Sequence, residues 1–360
     1  MDTALNIARR FSLEREPAAA EPYGCGHINE TYLVTDEGGR RWILQKINAR
    51  VFPDIPALME NISRVTAYLR EQVTAEGGDP ERECLRLIPT REGTAYVRDE
   101  EGGCWRMYAF VEPTVTLQVA EAPEQLYFAG VAFGRFQRRL DAFPAASLHE
   151  ILPGFHDTAA RYRHFERAVD RDVCGRAAEA AREIAFVRAR REETGRLTGL
   201  LNRGELPLRV THNDTKLNNV LLEPDTFRPV CVIDLDTVMP GLSLYDFGDS
   251  IRAGASTAAE DETDLGKVSC DLPLFEAYTR GFLSQCGDRL TAKERELLPF
   301  AARMMTLECG MRFLTDYLEG DTYFRVHRSG HNLDRCRTQF KLVADMEEKA
   351  ALMDAIVARC

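Results

Sequence analysis

The sequence predicts an α+β protein of two lobes, β-rich at the N-terminal end and mainly helical over the larger remainder. Three observations carry this. Strand-like runs broken by glycine turns are confined to the stretch from Tyr23 to about Phe110. From Pro123 onward the apolar spacing is mainly helical. The exception, at 209–252, sets short apolar strands around charged loops. The boundary falls at Glu112-Pro113, giving an N-terminal lobe at 1–112 and a C-terminal lobe at 113–360. A ligand cleft between two lobes is a common outcome of that layout.

In chain order, residues 2–12 read as a short amphipathic helix. Tyr23 to Asn29 is a glycine-containing turn that runs into the strand Thr31–Val34. Asp36-Glu37-Gly38-Gly39 is a turn signal, and Arg41–Ile47 is the partner strand of a hairpin. Pro56 to about Gln72 is helical, with Leu58, Ile62, Val65 and Leu69 on one face. Cys84–Ile88, Thr94–Val97 and Trp105–Val111 read as three further strands, with Glu100–Gly103 turning between the last two. Residues 158–203, rich in Ala, Arg and Glu, are solvated helices. Arg209–Thr211, Asn219–Leu222 and Val230–Ile233 are short strands, and Pro240-Gly241 is a turn. Residues 290–318 and 332–359 return to helix.

Composition narrows the classes. The 360 residues allow a core large enough to need no disulfide or metal staple. Lys plus Arg is 46 against 57 Asp plus Glu, a net charge of −11. That balance argues against a nucleic-acid groove, which needs clustered cations, and leaves a nucleotide pocket open. No run approaches the ~20 apolar residues of a membrane span. Met1-Asp2-Thr3-Ala4-Leu5 has no basic segment leading into an apolar one, so a cytoplasmic location is expected. Ten cysteines, none in a C-x-x-C pair, read as scattered reduced thiols. Without heptads or an apolar surface stripe, a monomer is expected.

The most informative stretch runs from Val210 to Leu221, followed by Val230 to Asp236. Its polar groups sit on a loop between apolar strands, where rigid neighbours can position chemistry. Phosphoryl transfer asks for a carboxylate to take a proton, amide and carboxylate oxygens for Mg²⁺, and a cation near the moving phosphate. Asp214, Asn219, Asp234 and Lys216 supply those parts. Asp214 is the expected general base; the bland alternative is a turn aspartate. Asn219 and Asp234 are the expected metal ligands, two being enough for Mg²⁺. Asp236 competes with Asp234, since it leaves the same face of an extended strand; it is expected behind the metal site or at the substrate. For Lys216 the alternative is a solvated loop lysine.

His212-x-Asp214-x-Lys216-x-x-Asn219 followed by Ile233-Asp234 resembles the catalytic loop and metal aspartate of the protein-kinase-like fold. Ile233-Asp234-Leu235-Asp236, in place of D-F-G, resembles the aminoglycoside phosphotransferase/choline kinase superfamily, as do Pro240-Gly241 and Tyr245–Asp249. Glu21–Asn29, Thr211–Leu221, Ile233–Arg252, Glu308–Leu314 and Asp316–Asp321 are similar to the N-acetylhexosamine 1-kinases within it. The resemblance covers nearly the whole chain. It implies ATP and Mg²⁺, and phosphorylation of the anomeric C1 hydroxyl of N-acetylglucosamine or N-acetylgalactosamine. Choline, homoserine or an aminoglycoside is the alternative acceptor on the same fold. A binding-only protein is the alternative of a different class, although Asp214, Asn219 and Asp234 are all present.

The resemblance also implies further roles. Gly24 and Gly26 belong to a phosphate-covering loop. The strand that usually carries a phosphate-binding cation ends Leu44-Gln45-Lys46; alternation puts Gln45 and Lys46 on opposite faces without saying which meets ATP. Glu60 is a possible partner for Lys46 or a surface charge. Phe110, Val111 and Glu112 form the hinge for adenine. His27, Asn29, Arg312 and Tyr323, with Asp214 and Asp236, are the substrate candidates; Arg312 has an ion pair with Asp316 as its alternative. His212 is expected to brace the loop, with a proton shuttle as its alternative, and Asp246 to brace it through backbone N–H groups or by pairing with Arg252.

Overall fold

The strand-forming runs of the N-terminal part pair as one antiparallel sheet in the computed structural model, which describes residues 2–24 and 28–360. After helix α1 (Asp2–Ala8) come β1 (Pro17–Pro22), β2 (Glu30–Asp36), β3 (Arg41–Ile47), α2 (Ile55–Ala75), β4 (Val97–Arg98) and β5 (Cys104–Ala109). The strand order is β1-β2-β3-β5-β4. The β2–β3 turn closes because Asp36 Oδ1 accepts the N–H groups of Gly38 and Arg40 at 2.8 and 3.0 Å. Helix α2 starts where Asp54 Oδ1 accepts the Ala57 N–H at 3.0 Å. Its face of Leu58, Ile62, Val65 and Leu69 is buried, as their spacing predicts.

Three expectations are corrected here. Strand β1 was not foreseen, because Pro-Ala-Ala-Ala-Glu-Pro carries no β-branched or aromatic residue. It forms at the sheet edge, where prolines at its ends cost no ladder bond. Cys84–Ile88 is not a strand; it makes one bridge, Leu87 to Tyr108, before Pro89 interrupts it. Of Thr94–Val97 only Val97 enters the sheet, since Thr90 and Thr94 close a tight turn on each other.

The larger part holds α3 (Pro123–Arg139), α4 (Thr158–Arg171), α5 (Ala181–Arg188) and α6 (Arg196–Asn202). Then come β6 (Arg209–Thr211), β7 (Val220–Leu222), β8 (Pro229–Val232), β9 (Met239–Gly241) and α7 (Ser243–Gly254). Helices α8 (Leu272–Cys286), α9 (Ala292–Glu296), α10 (Leu298–Leu318), α11 (His331–Glu348) and α12 (Ala350–Arg359) complete it. Strand β6 pairs with β9 and β7 with β8, both antiparallel. Pro240-Gly241 is therefore strand rather than turn, with Val210 opposite Pro240.

The core of this part gathers Phe133, Phe165, Phe247, Phe275, Tyr278 and Phe282, all fully buried. Helix α7 runs through it and carries loop-facing carboxylates on one side. On the other it meets α10 so closely that a Cβ on Gly248 would lie 2.5 Å from the Ala301 carbonyl oxygen. The nine described cysteines are free thiols. No described helix is long and apolar enough to cross a membrane.

Candidate active site

The segment after β6 leaves regular structure because its backbone is claimed by α7. Asp246 Oδ2 accepts the His212 N–H at 3.0 Å, and Oδ1 accepts the Asn213 N–H at 2.8 Å. Gln137 of α3 donates to the same carboxylate at 2.5 Å. Asp249, one turn on, accepts the Thr215 N–H at 3.0 Å. Asn213 sits at φ +64°, a conformation asparagine tolerates better than most residues. His212 Nε2 donates to the Ile233 carbonyl at 2.9 Å, and its Nδ1 accepts the Asp214 N–H at 3.3 Å. Those bonds fit a neutral imidazole that braces the loop.

Asp214 and Lys216 then face outward together. Their carboxylate and ammonium are 2.7 Å apart, with side chains 28% and 48% exposed. Asn219 Nδ2 donates to the Asp214 carbonyl at 2.8 Å and to its Oδ2 at 3.1 Å. The Ile233 N–H donates to the Asn219 carbonyl at 2.9 Å. The β7–β8 hairpin thus brings Asn219 beside Asp234, and so beside Asp214. Asp234 lies at φ +62°. Its carboxylate has no cationic partner within ion-pair distance among the described residues. Desolvation by burial, with the like charges of Asp236 and Asp214, pushes its carboxyl up to about 7.

A carboxylate with no cationic partner among the described residues, following the strand that bonds to Asn219, suits a hard cation. Among the described residues no group of three or more His, Cys, Asp or Glu would hold a metal alone. Mg²⁺ commonly takes one or two carboxylates and fills its shell with phosphate oxygens and water. Asp234 and Asn219 fit that arrangement.

Asp236 is placed differently. It is buried, paired with Arg106 of β5, and its Oδ2 accepts from Asn29 Nδ2 at 2.6 Å. Arg106 also donates through Nε and Nη2 to Gln45 Oε1, at 3.0 and 2.8 Å. The face of the sheet that meets the loop is therefore the Gln45 face. Lys46 lies on the other, its Nζ 3.8 Å from Asp99 and 5.5 Å from the Trp105 ring centre. Glu60 pairs with Arg64 and His149 instead of Lys46.

At Phe110–Glu112, expected as the hinge, the Phe110 ring meets Tyr23 edge-on, with Arg41 stacked 4.4 Å over it. Arg41 pairs with Glu112. The Val111 and Glu112 carbonyls already accept from Thr114 and Arg82. Gly24 adopts φ +79° at the start of the glycine loop. Gly26 and His27 lie outside the described residues.

Arg312 projects from α10 among the rings of Phe155, Phe324 and Tyr323, at 5.2, 5.5 and 5.9 Å. It has no ion pair among the described residues. Arg252 pairs with Asp249 and Glu260, not Asp246. Sequence reasoning missed Arg106, Asp249, Gln137 and Arg161. Arg161 donates to the Phe155 carbonyl at 3.1 Å. Burial and the neighbouring Arg312 charge hold its pKa below the usual arginine value. Arg106 had one visible signal, a charge inside the apolar run Cys104-Trp105-Arg106-Met107-Tyr108.

Residues 19–279 match the family described as the phosphotransferase enzyme family. A microcompartment-associated aminopropanol kinase is 16% identical over 98% of this chain and 98% of its own, with a TM-score of 0.60. Spectinomycin phosphotransferase, solved with ADP and spectinomycin, is 12% identical over 97% of this chain and 98% of its own (TM-score 0.57). Choline kinase from Cryptosporidium parvum Iowa II is 13% identical over 99% and 97% (TM-score 0.56). At such identities the likeness shows a shared fold, α+β and protein-kinase-like.

Proposed function

We propose, from the premise that this chain belongs to the phosphotransferase enzyme family, that it phosphorylates the anomeric C1 hydroxyl of N-acetylhexosamines with ATP and Mg²⁺. The observation that carries the chemistry is the convergence of Asp214, Lys216, Asn219 and Asp234 at one end of the β7–β8 hairpin.

In this reading residues 1–112 cover the nucleotide and 113–360 carry the catalytic loop and acceptor pocket. Asp214 accepts the proton of the attacking hydroxyl as the new O–P bond forms and ADP departs. An anomeric hydroxyl is more acidic than an ordinary alcohol, which eases its deprotonation. Lys216 turns from Asp214 to the transferring phosphoryl group, which frees the base. Asn219 and Asp234 would hold Mg²⁺, which would neutralise phosphate charge. His212, Asp246 and Asp249 keep the loop in register without touching the reacting atoms.

The acceptor class is supported by Arg312. A guanidinium with no ion pair among the described residues, beside a second arginine, disfavours ammonium groups. Choline and aminoglycosides carry such groups. Neutral sugars with an acetamido carbonyl offer acceptors to those N–H donors. Tyr323, 65% exposed, supplies an aromatic wall.

The test is ADP release with ATP and Mg²⁺ over N-acetylglucosamine, N-acetylgalactosamine, glucose, galactose, choline, homoserine, aminopropanol and kanamycin. Phosphorus NMR then identifies the product. Turnover confined to the N-acetyl sugars, with phosphate on C1, is expected. Turnover on an amine-bearing acceptor overturns the sugar assignment. Nucleotide binding with no acceptor-dependent turnover overturns the enzyme reading in favour of a binding protein.

A further inference from the structure

We infer that Arg106, Asp236 and Asn29 form a tie that positions Asp234, fastening the proposed metal-binding loop both to the sheet and to the stem of the glycine loop. The inference rests on the reading of Asp234 as a metal ligand.

The tie is made of groups that are costly to bury. The Arg106 side chain is 1% exposed and that of Asp236 5%. A buried ion pair contributes little net stability compared with apolar residues of similar volume, so stability alone does not explain its place in an otherwise apolar strand. Its geometry does. Asp236 lies in the single turn Leu235–Thr237 that directly follows Asp234. Asp234 itself sits at φ +62°, a left-handed conformation that costs a residue other than glycine some energy and that its surroundings help to hold. Arg106 fixes one oxygen of Asp236 from β5. Its other N–H groups are anchored on Gln45 of β3, whose Nε2 donates to Thr31 of β2 at 3.1 Å. Three adjacent strands thus stand behind one carboxylate.

Asn29 adds the second connection. Its Nδ2 donates to Asp236 Oδ2 at 2.6 Å, and its Oδ1 accepts the Asn48 N–H at 3.0 Å. Asn48 Nδ2 in turn donates to the Ile28 carbonyl at 3.1 Å. The C-terminal stem of the glycine loop is therefore bonded to the residue that orients the metal-binding loop. Arg106 is too enclosed to reach a nucleotide, so it is a positioning residue. Lys46 lies on the opposite face of β3, and the ion pair that Arg106 makes on this side is with Asp236.

The test measures Mn²⁺ binding to the full-length protein with ADP, following the free-ion EPR signal, and ADP binding without metal. Thermal unfolding without either ligand serves as the folding control. The variants are Asn29→Ala, Arg106→Lys and Asp234→Ala. Asn29→Ala removes one surface-facing tie and leaves the buried pair intact, so it reports even if Arg106→Lys does not fold. Arg106→Lys keeps the charge and loses the fork. We expect Asn29→Ala and folded Arg106→Lys to weaken Mn²⁺ about 10- to 100-fold, the usual cost of removing a partner behind a metal ligand, while ADP affinity without metal holds. Unchanged Mn²⁺ affinity in Asn29→Ala, and in Arg106→Lys where it folds, with Asp234→Ala having lost it, overturns the tie and leaves the metal site standing. Wild-type Mn²⁺ affinity in Asp234→Ala overturns the metal reading, and the tie with it.

Discussion

Arg312 and Asp316 stand one turn apart on α10 and do not pair. The Asp316 carboxylate is filled by the backbone N–H groups of Thr322, Tyr323 and Phe324 and by the Asn332 amide, all at 2.8 or 2.9 Å. It shapes the loop after the helix, and that loop brings Tyr323 and Phe324 over Arg312. An arginine placed four residues before an aspartate is also the weaker orientation for a helical pair. The Arg312 guanidinium is thereby left without an ion pair among the described residues.

Arg312→Gln should therefore raise the acceptor KM by about 10- to 100-fold, the range for losing a hydrogen bond from a charged donor. The KM for ATP should stay constant. Steady-state kinetics with each substrate varied in turn would check it. An unchanged acceptor KM would remove Arg312 from the pocket.

Asp214→Asn should lower kcat by about 10²- to 10⁴-fold, the usual contribution of a positioned base. ADP binding by calorimetry and thermal unfolding should remain near wild type, because Asp214 is partly open to solvent and stays polar when amidated. Near-normal turnover would show that another group takes the proton.

Asp246→Asn tests the loop's support. The carboxylate accepts from His212, Asn213 and Gln137. An amide turns an NH₂ toward one of those donors and loses at least one bond. A stability loss of about 1–3 kcal/mol is expected by urea denaturation, as for an unsatisfied buried polar group. It should come with a fall in kcat larger than the loss of folded protein explains.

Glu294 sets an acid limit on stability. Burial works to raise its carboxyl. Arg209 at 2.6 Å, the Thr291 N–H at 2.8 Å and the Ser243 hydroxyl at 2.7 Å overcome that and hold it below the usual carboxylate range. A lowered folded-state pKa means the unfolded chain binds the proton first as pH falls. The stabilisation is thus full above the ordinary glutamate pKa and lost as pH drops through the folded value. Glu294→Gln should be less stable than wild type near neutral pH, and the gap should close in acid. Urea midpoints across that range would show it; a pH-independent gap would contradict the assignment.

Short-range chemistry was legible along the chain. Asp214, Lys216 and Asn219 lie within six positions, and the β2–β3 hairpin announces itself through Asp36 and its glycines. In both cases the partners are close enough for loop geometry alone to bring them together. Strand alternation likewise separates Gln45 from Lys46, because successive side chains leave opposite faces. Which face meets the loop was decided 61 residues later by the Arg106 bond to Gln45, and by the pairing of Arg106 with Asp236 in the other part of the molecule. Strand β1 exists for a similar reason, since its hydrogen bonds come from β2 and not from its own propensity. Arg312 looked equally suited to an ion pair until the 322–324 backbone took up Asp316. A residue's type and spacing set what it can bond to locally. Which of several suitable partners it meets, and whether water reaches it there, depends on elements far away in sequence, because burial and pairing are properties of the packed whole.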